Sequence, residues 1–196
     1  EGSARFLKKL WRAVHAHGAA GAPPALDAAT LTPAQRKLRQ KTHATLQKVG
    51  DDLGRRLKLN TVVAANMELL NAIGELDDAS PQGRAVVQEA LSALVATLSP
   101  ITPHVCHALW HALGHGEPVI DARWPEPDAA ALKADVVQLV VQVNGKLRGR
   151  VEVASDAGND IVIAAALADP QVQRFIAGQP IRKQVVVPGK LVNFVV

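Results

Sequence analysis

The 196-residue sequence has few or none of the residues that several kinds of site require. It has no Tyr and only three Trp and three Phe, so a surface that stacks successive unpaired bases on aromatic rings is not expected. Its single Cys excludes an internal disulfide and a zinc cage built from cysteines. No apolar run approaches the ~20 residues of a membrane span, and the N-terminus has no apolar signal core. We therefore expect a cytoplasmic protein without a membrane partner. A monomer is also expected. Because the sequence starts at Glu1 inside a helical pattern, we also expect it to be part of a longer polypeptide.

Charge is unevenly distributed along the sequence. Residues 1–60 carry 12 Lys/Arg and 4 Asp/Glu, residues 61–135 carry 3 and 10, and residues 136–196 carry 7 and 4. Two basic blocks on either side of an acidic one favour two surfaces that face a polyanion. Ordinary solvated helix faces are the alternative interpretation.

Five amphipathic helices are predicted in the first part of the sequence, and their short connections indicate a helical bundle. The first is expected over Ser3–His17, and the second runs from a capping box at Thr32 and Gln35 to about Lys58. Further start signals stand at Asn60, Ser80-Pro81 and Thr102-Pro103. We expect this helical domain over residues 1–114 and a proline-rich linker over residues 115–135.

The periodicity changes from helical to extended after the linker. Val136–Val143 and Leu147–Val153 flank Asn144-Gly145, a strong hairpin signal because both turn positions require positive φ. Pro188-Gly189 separates Ile181–Val187 from Leu191–Val196 in the same way, and two short helices are expected over Asp160–Ala168 and Pro170–Ile176. The predicted fold class is therefore α plus α+β: a helical bundle followed by a small β-β-α-α-β-β domain over residues 136–196.

Cations concentrate on the second helix and in the two hairpins. Lys146, Arg148 and Arg150 alternate along one strand, so their side chains are predicted to project from one face. Phosphate contact is the favoured interpretation, and protection of edge strands by charge is the alternative. His43 lies on the basic helix and is either a phosphate contact or a structural residue. The predicted nucleic-acid-binding set is Arg36, Lys37, Arg39, Lys41, His43, Lys48, Arg55, Arg56, Lys146, Arg148, Arg150, Arg182, Lys183 and Lys190.

No catalytic or metal-binding residues are predicted. No carboxylate or Cys stands at ligand spacing beside the histidines of the fifth helix, so polar surface residues are favoured over a metal site. Those histidines are His104, His107, His111 and His115. Asp51-Asp52 and Asp77-Asp78 are helix neighbours that point to different faces, which does not suit an acid/base pair. The sequence also has no Ser/His/Asp arrangement and no phosphate-binding glycine loop.

The chain resembles the C-terminal portion of bacterial-type leucyl-tRNA synthetases, which are class I aminoacyl-tRNA synthetases. The most specific matches are VQVNGKLR at Val141–Arg148 and VPGKLVN at Val187–Asn193. KTHAT at Lys41–Thr45 and SPITPH at Ser99–His104 match class I synthetases more broadly. The sequence departs from the family where His107 and Ala108 replace residues that are usually acidic. It departs again where Leu57 and Leu59 stand near a common aromatic position.

The resemblance implies a tRNA-docking portion of an enzyme that attaches leucine to tRNA(Leu) with ATP. It implies that the helical domain binds the anticodon arm and that the tail domain binds the elbow, through shape and phosphates. The family's His-x-Gly-His and Lys-Met-Ser-Lys-Ser signatures and its editing domain are absent from this sequence. The fragment alone is therefore expected to be inactive and without a cofactor. ATP and Mg would belong to the parent enzyme, and the partners would be tRNA(Leu) and the catalytic and editing domains of the same chain. A helical protein-interaction module with basic surfaces is the alternative.

Overall fold

The computed structural model describes residues 1–133, 136–154, 157–176 and 178–196. The chain forms two compact units, Glu1–Lys133 and Ala134–Val196, each of which is described by itself. The last two residues of the predicted linker, 134 and 135, lie outside the described residues.

Five α-helices build the first unit, as the sequence predicts. They are α1 (Gly2–Ala19), α2 (Pro33–Asp51), α3 (Leu59–Glu75), α4 (Pro81–Leu98) and α5 (Pro103–Ala112). A single π-helical turn at Asp52–Arg56 follows α2, so the second helix ends earlier than expected. Within the described ranges, no helix combines the length and the hydropathy needed to cross a bilayer.

Side-chain caps define the starts of two of these helices. The Thr32 hydroxyl accepts a hydrogen bond from the Gln35 N–H, and the Gln35 side chain accepts one from the Thr32 N–H, which completes the predicted capping box. Ser80 likewise accepts from the Gly83 N–H at the start of α4. Both predictions are confirmed. Each could be made from the sequence because the cap depends only on residues within one helical turn.

Two other predicted helix starts are wrong. Helix α1 begins at Gly2, so Ser3 lies inside it, and α3 begins at Leu59, so Asn60 lies inside that helix. Neither helix start has a side-chain cap hydrogen bond. In both cases the helix begins one residue before the start that the sequence suggested.

Helix α4 lies at the centre of the first unit and packs against α1, α2, α3 and α5. Its side chains Leu91 and Leu94 are fully buried, together with Leu10 of α1, Leu69 of α3 and Leu109 of α5. Each fully buried leucine contributes about 1.5–3 kcal/mol of transfer free energy. The predicted apolar faces of the helices thus form a main core and a smaller cluster of Val49, Val62 and Ala65 from α2 and α3.

The stretch predicted as a linker packs on the first unit as far as residue 133. Val119 and Ala131 are buried there, and the His115 ring stacks on the Trp110 ring with a centroid distance of 3.6 Å. The proline-rich segment therefore has fixed contacts with the helices, although the sequence pattern predicts a loop that connects two domains.

The second unit contains a four-stranded sheet and two short helices in the predicted chain order. Its elements are β1 (Val136–Val143), β2 (Lys146–Ala154), α6 (Asn159–Ala168), α7 (Pro170–Ile176), β3 (Lys183–Val187) and β4 (Leu191–Val195). The strand order is β2-β1-β4-β3, with antiparallel hairpins at each side and a parallel β1–β4 pair in the middle. One face of the sheet packs on the helices and buries Leu139, Val141, Val143, Val192 and Phe194.

The turns of both hairpins have the backbone that their sequences predict. Asn144 and Gly145 have φ values of 51° and 75°, and Gly189 has a φ of 68°. Side-chain hydrogen bonds join the first turn to β4, since the Asn193 side chain accepts from the Gly145 N–H and Asn144 accepts from the Val196 N–H.

Candidate nucleic-acid interface

Arg39 of α2 makes contacts within the first unit. Its guanidinium donates through Nε to Glu89, 3.1 Å away, and through Nη2 to Asp128, 2.8 Å away. The side chain is only 13% exposed. Arg39 therefore joins α2 to α4 and to the segment that follows α5.

His43, one turn further along α2, is buried in the same cluster. Its Nε2 lies 3.1 Å from Glu89 Oε1, and its Nδ1 accepts a hydrogen bond of 3.0 Å from the Asp128 N–H. Because Nδ1 is the acceptor, the ring proton lies on Nε2 and is donated to Glu89. Both side chains have partners within the protein, which favours a structural role for Arg39 and His43, and their predicted contacts with nucleic acid stay predictions. We call Arg39, His43, Glu89 and Asp128 the clasp.

Asp128 is the clasp residue that belongs to the segment after α5. The Ala130 N–H and then the Arg39 side chain donate hydrogen bonds to its carboxylate, and these hold the pKa of Asp128 below its usual value. The carboxylate is thus held in its charged form, which keeps the ion pair with Arg39 in place.

The remaining cations of the second helix differ in how accessible they are. Lys41 forms an ion pair of 2.7 Å with Glu68, and this hydrogen bond lowers the pKa of the Glu68 carboxyl. The Arg36 side chain donates to the Leu31 carbonyl. Lys37, Lys48, Arg55 and Arg56 are exposed to solvent. The accessible cations of the predicted set in this unit are thus Lys37 and those around the end of α2.

Several of these accessible cations surround the π-helical turn. We call residues Asp52–Lys58 the cationic turn, which the Lys58 N–H closes by donating to the Asp52 carbonyl at 3.0 Å. Arg55 is 81% exposed and lies 3.5 Å from Asp51. Lys58 is exposed as well, and Leu57 is 79% exposed with a φ of 47°. Neither Leu57 nor Lys58 is in the predicted set, although an apolar residue between two cations in the sequence was a usable signal.

A β-bulge interrupts the predicted alternation of cations in the first hairpin. Val141 pairs with Gly149 and Gln142 pairs with Leu147, which leaves Arg148 as the extra residue on β2. The Arg148 guanidinium lies 3.7 Å from the centre of the Phe175 ring on α7, and its buried Nε has no hydrogen-bond partner in the described structure. Arg148 is therefore held against a helix by a cation–π contact.

The other cations of the predicted set in the second unit are exposed. Arg150 pairs with Val140 of β1, and Lys183 pairs with Val195 of β4. Arg150 and Lys183 therefore lie on the sheet face that the helices do not cover. Arg182 precedes β3 and is exposed.

Lys146 and Lys190 are exposed at the two turns. The Asn144 N–H bonds to the Phe194 carbonyl near the end of β4, whereas Lys190 immediately precedes that strand. Four residues of strand separate the two turns by about 13 Å. The two lysines are therefore at separate places along the strand direction.

Two histidines of the α5 region, His111 and His115, have polar partners within the first unit. His115 stacks on Trp110 and lies 2.9 Å from the Ser92 hydroxyl, and burial lowers its pKa. His111 Nδ1 lies 2.9 Å from the His115 carbonyl. In the part of the chain that the structure describes, no three His, Cys, Asp or Glu side chains form a group that could hold a metal ion.

A comparison with protein families decides which family the sequence represents. The profile described as "Anticodon-binding domain of tRNA ligase" matches residues 35–163, about two thirds of the chain. The chain belongs to this anticodon-binding family of tRNA ligases. The match includes α2 from Gln35 onward, the clasp, the cationic turn and the first hairpin of the second unit.

Curated relatives of this anticodon-binding chain are leucine–tRNA ligases. Those of Stenotrophomonas maltophilia (strain R551-3) and Chromohalobacter salexigens are each 56% identical, and that of Pseudomonas aeruginosa (strain LESB58) is 52% identical, over 100% of this chain. The chain spans only 22–23% of the length of these relatives. The resemblance to leucyl-tRNA synthetases is thus confirmed for a part of such a protein.

One solved structure supports the fold. The LeuRS agnB2 of Agrobacterium radiobacter K84, in its ternary complex with tRNA and LeuAMS, matches 100% of this chain and 25% of its own with a TM-score of 0.78 and 22% identity. At that identity the match supports the fold alone.

Proposed function

We propose that this chain is the tRNA-docking part of a leucine–tRNA ligase, the enzyme that attaches leucine to tRNA(Leu) with ATP. The observation that carries the proposal is the 52–56% identity to leucine–tRNA ligases along the whole chain, together with the anticodon-binding family match. The helical unit docks on the anticodon arm and the α+β unit on the elbow of the tRNA. The protein acts in the cytoplasm as a monomer.

The exposed cations support a docking role that depends on phosphates. After the clasp residues are set aside, accessible Lys and Arg side chains remain at the cationic turn, at both hairpin turns and on the open face of the sheet. An A-form RNA helix presents phosphates and 2′-hydroxyls and hides its base edges in a deep groove. Lys and Arg side chains at separate points of a surface suit such a ligand.

Chemistry is assigned to other parts of the longer polypeptide. The sequence has no phosphate-binding glycine loop, and the described residues hold no group of ligands for a divalent ion. We therefore assign ATP and Mg²⁺ to those other parts, and we propose that the contribution of this chain is to bind and orient the RNA.

Binding of labelled tRNA(Leu) across a salt series tests this function. Each neutralised phosphate contributes about 0.7–0.9 to the slope of log affinity against log salt, so replacement of Lys146, Lys183 and Lys190 by Ala should lower the slope by about 2 to 3. The control variant replaces Arg123 and Lys133, two exposed cations of the acidic middle block, and should leave the slope unchanged. An equal slope for the triple variant and the wild type would reject the assignment of the second unit.

A further inference from the structure

The cationic turn holds an exposed leucine in a conformation that leucine rarely adopts. Leu57 has a φ of 47° and a ψ of 41°, and its side chain is 79% exposed. Many helices end with one residue in this left-handed conformation, and that residue is usually Gly because it has no Cβ. At Leu57 a large apolar residue occupies the position, where the backbone disfavours it and little burial compensates. Such outliers concentrate at functional sites.

Two cations flank this leucine in the sequence. Arg56 and Lys58 are both exposed, and neither forms an ion pair with a carboxylate among the described residues of the first unit. The turn contains one carboxylate of its own, that of the buried Asp52, and the adjacent carboxylate of Asp51 lies 3.5 Å from Arg55. The apolar side chain is therefore flanked along the sequence by two accessible cations, a combination that suits a ligand with both an apolar face and phosphates.

We propose that Leu57 contacts the face of an unpaired nucleotide, while Arg56 and Lys58 bind the phosphates beside it. The inference rests on the proposed tRNA-docking function. Nucleic-acid-binding proteins place apolar side chains, leucine among them, against or between bases. Paired bases in an RNA helix are stacked on their neighbours, so only an unpaired nucleotide presents a free face. The site is thus specific for unpaired RNA without an aromatic platform.

Replacement of Leu57 by Gly separates this contact from a structural role. The change removes the side chain and relaxes the backbone, so the thermal unfolding midpoint should stay equal or rise. Affinity of the 196-residue chain for tRNA(Leu) should fall about tenfold, since a largely exposed leucine would no longer be buried by the RNA. The salt slope should not change in L57G, whereas Arg56→Ala should lower it by about 0.7–0.9. Ile120→Gly, at a position that is 86% exposed, is the matched control and should leave affinity unchanged.

Two further arms make the result decisive. A blunt RNA duplex without unpaired nucleotides should bind wild type and L57G equally, and Leu57→Met should keep most of the affinity for tRNA(Leu). Wild-type affinity of L57G for tRNA(Leu), an equal loss on the duplex, or a loss in L57M as large as in L57G would each overturn the inference alone. Absence of tRNA binding by the wild type at low salt would overturn the docking function and this inference with it.

Discussion

The clasp makes a direct prediction for the stability of the first unit. Replacement of Arg39 by Met keeps most of the apolar stem but removes the guanidinium from Glu89 and Asp128. Each hydrogen bond to a charged group contributes about 1.5–3 kcal/mol when both partners are buried. Glu89 and Asp128 are 25% and 40% exposed, so water replaces part of what is lost. We therefore expect the free energy of unfolding to fall by about 2 kcal/mol, below the roughly 3–5 kcal/mol for breaking a fully buried pair.

Tryptophan fluorescence during urea unfolding measures this change. All three tryptophans, Trp11, Trp110 and Trp124, lie in the first unit, so their signal does not report on the second. Lys37→Met, at an exposed position of the same helix, is the matched control and should stay within about 0.5 kcal/mol of the wild type.

A double-mutant cycle with Asp128→Asn isolates the ion pair. The single changes at Arg39 and Asp128 should fall short of additivity by about 1 kcal/mol, because each already removes the same contact. An Arg39→Met variant as stable as the control, or a cycle that is additive within about 0.3 kcal/mol, would refute the interpretation of the clasp as a stabilising contact.

Two further predictions concern packing and pH. Gly149→Ala should destabilise the second unit by about 1–3 kcal/mol, because the added Cβ would lie 2.9 Å from Val172 Cγ2. Hydrogen exchange of the β2 amides measures this change, and an unchanged exchange rate would contradict the prediction. Burial lowers the pKa of His17 and His115 in the native first unit, whereas a histidine in the unfolded chain has a pKa of about 6.5. Below about pH 6.5 the unfolded chain therefore binds protons that the native first unit does not. Its unfolding free energy should therefore fall as pH drops from 7.5 through the lowered native pKa values, and urea titrations should show a smaller fall in His115→Asn than in the wild type.

Local sequence signals predicted much of the fold. The capping box at Thr32, the Ser80 cap and the Asn144-Gly145 turn depend on atoms within a few residues of each other, and all three are present. Helix α7 and strand β1 have the predicted bounds. Such features can be inferred from one sequence because the interacting groups are neighbours along the chain.

The features that a single sequence did not reveal are formed by distant residues. Arg39 and Asp128 lie 89 positions apart, so nothing in the pattern of α2 distinguished a clasp residue from an exposed cation. The second helix was expected to continue to Lys58 because the apolar period continues through Leu57, but that leucine turns into the left-handed region. The types of residue at the candidate interface were thus predictable, whereas their accessibility was not.

The parallel pairing of β1 with β4 affects how the second unit folds. Val140 pairs with Leu191, so this contact closes a loop of about 50 residues, whereas the β1–β2 hairpin forms around a two-residue turn. Until β4 docks, the folding chain presents one edge of β1 with its backbone groups unpaired and with the apolar sequence VVQLVVQV. Such an edge readily pairs with the same strand of another molecule. The step most sensitive to protein concentration during folding is therefore the docking of the last strand.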